Sequence, residues 1–148
     1  MQKDKRYVAF VCTGNTCRSP MAEGIFNKLA EEKGLNITAE SFGIATVTGI
    51  PVSENSVTAC KELGVDLSQN KSTSVEDVEL EKYERLYCMS PSHARVLSEC
   101  YFVPLGDIDI LGVGDPYGGS LEVYRMCRDE IYNSVKEIIK SYEDRKDD

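Results

Sequence analysis

Tyr7-Val8-Ala9-Phe10-Val11-Cys12-Thr13-Gly14-Asn15-Thr16-Cys17-Arg18-Ser19-Pro20-Met21 is the stretch that decides how this chain folds. Tyr7 to Val11 is apolar and β-favouring, the pattern of a short buried strand. Cys12 to Pro20 reads as a loop. From Met21 apolar residues recur at helical spacing, with Met21, Ile25 and Leu29 on one stripe and Ala22, Phe26 and Ala30 on the next. The spacing predicts a helix to about Lys33, capped by Ser19, with Pro20 in its first turn and Gly34 at its end.

The alternation continues outward. Ile37 to Ile44 reads as a second strand and Ser53 to Leu63 as a second helix closed by Gly64. Thr73 to Lys82 reads as an acidic helix with Glu76, Asp77, Glu79 and Glu81 on a solvated face. Arg85 to Met89 reads as a third strand, and Ser90-Pro91 opens a short helix to about Ser98. Tyr101 to Leu105 reads as a fourth strand, followed by a long loop from Gly106 to Gly119. Ser120 caps a last helix to about Asp144, with Tyr124, Cys127, Ile131, Val135, Ile138 and Tyr142 on one face. The charged lead-in Lys3 to Arg6 and the tail Glu143 to Asp148 are expected to lie outside the packed elements, the tail frayed. Strands alternating with helices predict an α/β fold, an open parallel sheet with helices on both faces. Working loops in such sheets leave the carboxyl ends of strands, so the loops at Cys12 and Asp115 reach the same rim. With no repeat or linker, residues 1–148 read as one domain.

The net charge of −8 argues against a nucleic-acid partner, which needs a basic face, but leaves room for one phosphate in a local positive pocket. The apolar runs are too short to span a bilayer, and the start lacks a secretory pattern, so the expected compartment is the cytoplasm. The six cysteines, at 12, 17, 60, 88, 100 and 127, are then expected as reduced thiols.

Cys12 to Ser19 has the chemistry of an anion site. A thiol ends a strand, an arginine stands six places on, and a serine follows it. Gly14 and Asn15 tolerate left-handed backbone, so the loop can turn its amides inward as a nest. The helix that follows aims its positive end at the same point, and Arg18 offers a fork for two phosphoryl oxygens. The same groups are expected to lower the Cys12 pKa, and Ser19 can donate to the thiolate. The spacing alone recurs by chance, so the weight lies on its context. The bland reading is a buried strand-end cysteine beside an ordinary helix cap.

The segment Val11-Cys12-Thr13-Gly14-Asn15-Thr16-Cys17-Arg18-Ser19-Pro20-Met21-Ala22-Glu23 resembles the signature of low-molecular-weight protein tyrosine phosphatases. Asp115-Pro116-Tyr117 resembles the Asp-Pro-aromatic general-acid loop of the same family. The resemblance covers nearly the whole chain. It implies a four-stranded parallel sheet flanked by helices, with a phosphocysteine intermediate on Cys12. It implies oxyanion binding by Arg18 and the loop amides of Thr13, Gly14, Asn15, Thr16 and Cys17, and proton donation by Asp115. Asn15, Ser19 and Ser41 match positions that hold the loop in shape, and Cys17 matches a cysteine that traps the nucleophile as a reversible disulfide. Thr13 and Thr16 depart from many tyrosine-specific members, which carry an apolar residue at the first position and isoleucine at the second. Thr-Gly-Asn-Thr and Asp115 to Ser120 resemble a bacterial branch that includes protein arginine phosphatases. Thr16 can accept a hydrogen bond from a guanidinium where isoleucine would only pack. Gln69 and Asn70 stand near a place where many members carry a histidine.

A phenolate leaving group, of pKa about 10, needs a proton donor. Asp115 is the first candidate, Asp107 and Asp109 the next, and Tyr117 can wall the substrate side chain. His93, the only histidine, reads as exposed or capping rather than as the base of a Cys-His hydrolase. Cys12, Cys17, Cys88 and His93 have permissive zinc spacings, but Cys88 reads as inside a strand, so no metal is expected. Cys60, Cys100 and Cys127 read as core residues. No cofactor motif is present, and the expected partner is a phosphorylated protein, met by a monomer or weak dimer. Three rival activities remain: phosphotyrosine hydrolysis, phosphoarginine hydrolysis, and arsenate reduction, which would need Cys88 and Cys100 as a relay. A phosphoprotein-binding module without catalysis is the non-enzyme alternative.

Overall fold

The first strand, β1 (Arg6–Cys12), is buried without a break from Val8 to Cys12, which requires cover on both faces of the sheet. The structure, a computed structural model, describes residues 5–144. The remaining elements are α1 (Arg18–Glu32), β2 (Ile37–Gly43), α2 (Glu54–Lys61), β3 (Arg85–Cys88), α3 (Pro91–Tyr101), β4 (Ile108–Ile110) and α4 (Leu121–Asp144). All strand pairs are parallel, in the order β2-β1-β3-β4. Alternate β1 side chains feed two cores. Val8, Phe10 and Cys12 face the larger one with α1, α2 and α4, while Ala9 and Val11 face a smaller one with α3. The expected α/β class, with a parallel sheet and helices on both faces, is what forms.

Pairing of β1 with β2 sets Cys12 beside Gly43, and the chain after β2 stays on the phosphate-type loop. The amides of Ile44 and Ala45 donate to the carbonyls of Cys12 and Thr13 at 3.0 Å each. Gly43 permits this approach, since a Cβ there would stand 2.6 Å from the Thr13 oxygen. Asn15 takes the left-handed turn at φ 57°; Gly14 does not.

Several expectations are corrected. Tyr101 to Leu105 is not the fourth strand. Tyr101 ends α3, Phe102 caps it in left-handed backbone at φ 61°, and Val103 folds back with its amide on Leu97. The strand is Ile108-Asp109-Ile110, a short edge pairing with β3. Thr73 to Lys82 forms two 3-10 turns, Val75–Asp77 and Leu80–Lys82, because Ser74 caps the first with its side chain and Val78 is extended. Its acidic residues are exposed as expected. Helix α1 begins at Arg18 with Cys17 at its cap, so Ser19 lies inside the helix and does not cap it. On α4 Ile139 is buried where Ile138 was expected; a step of three or four fits the helical repeat equally, and packing chose the latter. Cys100 is exposed, while Cys60 and Cys127 are core residues. Of the charged ends, residues 1–4 and 145–148 lie outside the described residues, Arg6 opens β1 rather than lying in a lead-in, and Glu143 and Asp144 belong to α4.

Candidate active site

The Cys12 sulfur sits at the carboxyl end of β1 and 2% of the residue is exposed. Ser19 Oγ lies 2.8 Å from it, and the Asn15 amide donates to it at 3.2 Å. The groups behind Ser19 leave its proton free for the sulfur. The Thr73 amide donates to Asn15 Oδ1 at 2.8 Å, which fixes the orientation of the Asn15 side chain. Asn15 Nδ2 then donates to Ser19 Oγ at 2.7 Å and to Ser41 Oγ at 2.9 Å. A thiolate can only accept, so once Cys12 is ionised Ser19, its oxygen accepting from Asn15, donates its proton to the sulfur. Ser41 in turn donates to Glu23 at 2.5 Å. Asn15, Ser19 and Ser41 are thus brought together as expected, with Glu23 and Thr73 as additional members.

Burial pushes the Cys12 thiol up from its ordinary value, while the Ser19 hydroxyl, the Ser19 and Asn15 amides and the Arg18 charge pull it down. The net direction is upward, against the expectation of a lowered value. The sulfur has lost its water, and the donors of the loop offset that loss only in part. Burial likewise holds His93 down, to about 4, with the Arg18 charge acting in the same sense.

Arg18 opens α1 with its side chain buried, Nη1 donating to the Val113 carbonyl at 2.9 Å. Its Nη2 stands 3.8 Å from Asp115 Oδ2. Asp115 lies on the loop after β4 and accepts the Tyr117 amide at 3.0 Å. The two loops therefore share a rim, as topology demands. Asp109 pairs instead with Arg85 on the sheet edge, and Asp107 lies in a 3-10 turn, so Asp115 is the aspartate at the pocket. Residues 12–18, Asp115 and Tyr117 enclose a cavity of about 240 Å³. Tyr117 is 81% exposed and stands at its mouth. Cys17 Sγ contacts Tyr124 Oη at 3.3 Å and Ser53 Oγ at 3.5 Å. A larger groove of about 720 Å³ is lined by Glu23, Glu40, Asp77 and Glu79 among others and contains no thiol. Its four carboxylates outnumber Lys71 and Lys82, which disfavours an anion, so the smaller cavity is the candidate site.

His93 is buried, not exposed, and its capping role is present: Nδ1 accepts the Ser90 amide at 3.1 Å. Its Nε2 also meets Thr13 Oγ1 at 2.9 Å, a contact that sequence reasoning missed. The hint available was a lone histidine three places after Ser90. The Val113 carbonyl had no signal, being backbone. Among the described residues no cluster of three metal-ligating side chains occurs.

Residues 7–147 match the family model of the low molecular weight phosphotyrosine protein phosphatases. The chain belongs to that family. It is a hydrolase of the low-molecular-weight phosphatase type. A protein-arginine-phosphatase of Bacillus subtilis (strain 168) is 30% identical over 145 residues, covering 90% of this chain and 94% of the relative. An arsenate reductase of Brevibacillus brevis is 30% identical over 142 residues, covering 95% and 99%. The crystal structure of a low molecular weight protein tyrosine phosphatase from T. tengcongensis has a TM-score of 0.87 at 36% identity, covering 93% of this phosphatase and 99% of that chain. No helix among the described residues is long and apolar enough to cross a membrane.

Proposed function

We propose that this phosphatase, residues 1–148 as a single domain, removes phosphoryl groups from protein side chains through a phosphocysteine on Cys12. The observation that carries it is the hydrogen-bonded sulfur, with the Ser19 proton and the Asn15 amide aimed at it and Arg18 on the pocket wall. The Cys12 thiolate attacks phosphorus, the S–P bond forms, and the bond to the leaving oxygen or nitrogen breaks. Arg18 and the amides of residues 13–17 hold the equatorial oxygens as charge spreads over them. Asp115 gives its proton to the leaving group. Water then attacks phosphorus, Asp115 takes back a proton, and the thiolate leaves under the Ser19 hydrogen bond.

Phosphoarginine is the preferred substrate in this reading, phosphotyrosine the second. Thr16 is half-buried at the cavity, with its hydroxyl only 3.9 Å from Cys17 Sγ, a weak contact that leaves the oxygen available to a guanidinium N–H. Tyr117 walls the substrate side chain. Arsenate reduction is disfavoured because Cys88 is buried in β3 and Cys100 is exposed near the end of α3, so a relay between them has no common surface. A cytoplasmic monomer or weak dimer without nucleic-acid or membrane partners completes the proposal.

Quenched turnover of an aryl phosphate should yield protein carrying phosphate on Cys12 by mass spectrometry, and Cys12→Ser should abolish turnover. Persisting turnover in Cys12→Ser sinks the mechanism. Thr16→Ile should lower the ratio of phosphoarginine to phosphotyrosine hydrolysis by about tenfold; an unchanged ratio removes the arginine preference.

A further inference from the structure

His93 is buried, it is the chain's only histidine, and the steps above do not use it. Its tautomer is fixed by its neighbours. A backbone amide can only donate, so the Ser90 N–H at 3.1 Å makes Nδ1 the acceptor. The neutral ring must then carry its proton on Nε2. That proton points at Thr13 Oγ1, 2.9 Å away. In this bond the Thr13 oxygen accepts, so its own O–H is left to donate elsewhere. Thr13 follows the nucleophile directly and lines the cavity.

We propose that His93 is a positioning residue that turns the Thr13 hydroxyl into a proton donor for the anion held over Cys12. The third residue of a capping box is usually Glu or Gln, whose side chain accepts the cap amide. Glutamate would fill the box but could not donate to Thr13, and would set a negative charge beside an anion pocket. Histidine fills the box with one nitrogen and serves the loop with the other. The neighbouring charges, Arg18 on α1 and Asp115 on the loop after β4, both act on the ring. Arg18 favours its neutral form, the one that this arrangement requires.

The inference rests on the phosphatase reading, but one of its tests does not need turnover. Nitrogen NMR of the single histidine in the intact protein should show Nε2 protonated and Nδ1 bare at neutral pH, with the Nε2 signal moving on Thr13→Val and on titration with inorganic phosphate. Kinetics provide the second arm. His93→Leu should lower kcat/KM for an aryl phosphate about tenfold, mainly through KM, and weaken inhibition by inorganic phosphate in parallel. His93→Gln, which retains an acceptor and a donor, should recover most of that loss. In a Thr13→Val background His93→Leu should cost less than about twofold in kcat/KM, whereas a loss of thermal stability should persist there, because the bond from the Ser90 amide to Nδ1 is broken in both backgrounds. A proton on Nδ1, unchanged phosphate affinity in His93→Leu, or an equal kinetic loss with and without the Thr13 hydroxyl overturns the proposal. If the wild type hydrolyses no phosphate ester, the proposed function fails, while the NMR and phosphate-binding results still decide the role of His93. If His93→Leu does not fold, the tautomer and the Thr13→Val signal decide it.

Discussion

At the scale of single residues, the chemistry depends on which way a few protons point. The Thr73 amide orients Asn15, Asn15 donates to Ser19, and Ser19 keeps one proton, which it gives to the sulfur when Cys12 is a thiolate and can only accept. A hydrogen bond to a charged group contributes about 1.5–3 kcal/mol, a factor of ten or more in rate. Ser19→Ala should therefore slow turnover at least about tenfold. It should also move the pH dependence of Cys12 alkylation upward. Burial already holds this thiol above its ordinary value. Removing a donor to the thiolate destabilises the charged form further, so less of it exists at any given pH. Iodoacetamide labelling of wild type and variant across pH 6 to 10 checks the direction, and a profile shifted downward contradicts it.

At the scale of elements, a glycine in one strand gives another strand's loop its shape. Gly43 ends β2 against the backbone of Thr13 and Gly14, at 2.6 Å from the oxygen and 3.0 Å from the carbon for an added Cβ. Neither atom belongs to a flexible side chain, so Gly43→Ala must displace the loop itself. The expected cost is about 1–3 kcal/mol of stability by urea unfolding. Turnover of an aryl phosphate should fall further than that loss of folded protein explains, because the donors around Cys12 move together. Normal turnover in a folded Gly43→Ala protein would mean that the loop tolerates the shift. The edge strand β4 shows the limit of reading elements from composition. The apolar run Tyr101-Phe102-Val103 looks like strand, yet Tyr101 ends a helix, Phe102 caps it and Val103 folds back on it, while Ile108-Asp109-Ile110 pairs because β3 offers an edge.

At the scale of the whole molecule, charge and burial set the response to acid. His93 is held neutral with a pKa of about 4, below the 6.5 of the unfolded chain. Between these values the unfolded state binds more protons, so the stability this group contributes is full above pH 6.5 and is lost as pH falls to about 4. Glu62, exposed between Arg125 and Arg128, is lowered from 4.5 to about 2, and its contribution is lost in that lower window. The urea midpoint should therefore decline as pH falls from 7 to 4, and His93→Gln should flatten the decline between 6.5 and 4. An equally steep decline in the variant would assign it to other groups.

The sequence by itself determined the strand, loop and helix around Cys12, the alternation that makes a parallel sheet, and the candidates Cys12, Arg18, Asp115, Asn15, Ser19 and Ser41. The elements are legible because periodicity and spacing are local properties, and because parallel strands send their loops to one rim; Asp115 and the supporting Asn15, Ser19 and Ser41 were legible through the resemblance of their segments to a family. Only the tertiary structure decided the rest. It set the proton directions of the Asn15 network, the upward pull on the Cys12 thiol, the burial of Ile139 over Ile138 and the contact of His93 with Thr13. Each depends on what lies beside a side chain in space, across 80 residues in the last case. Desolvation and hydrogen-bond direction are fixed by those neighbours, and the order of residues along the chain does not contain them.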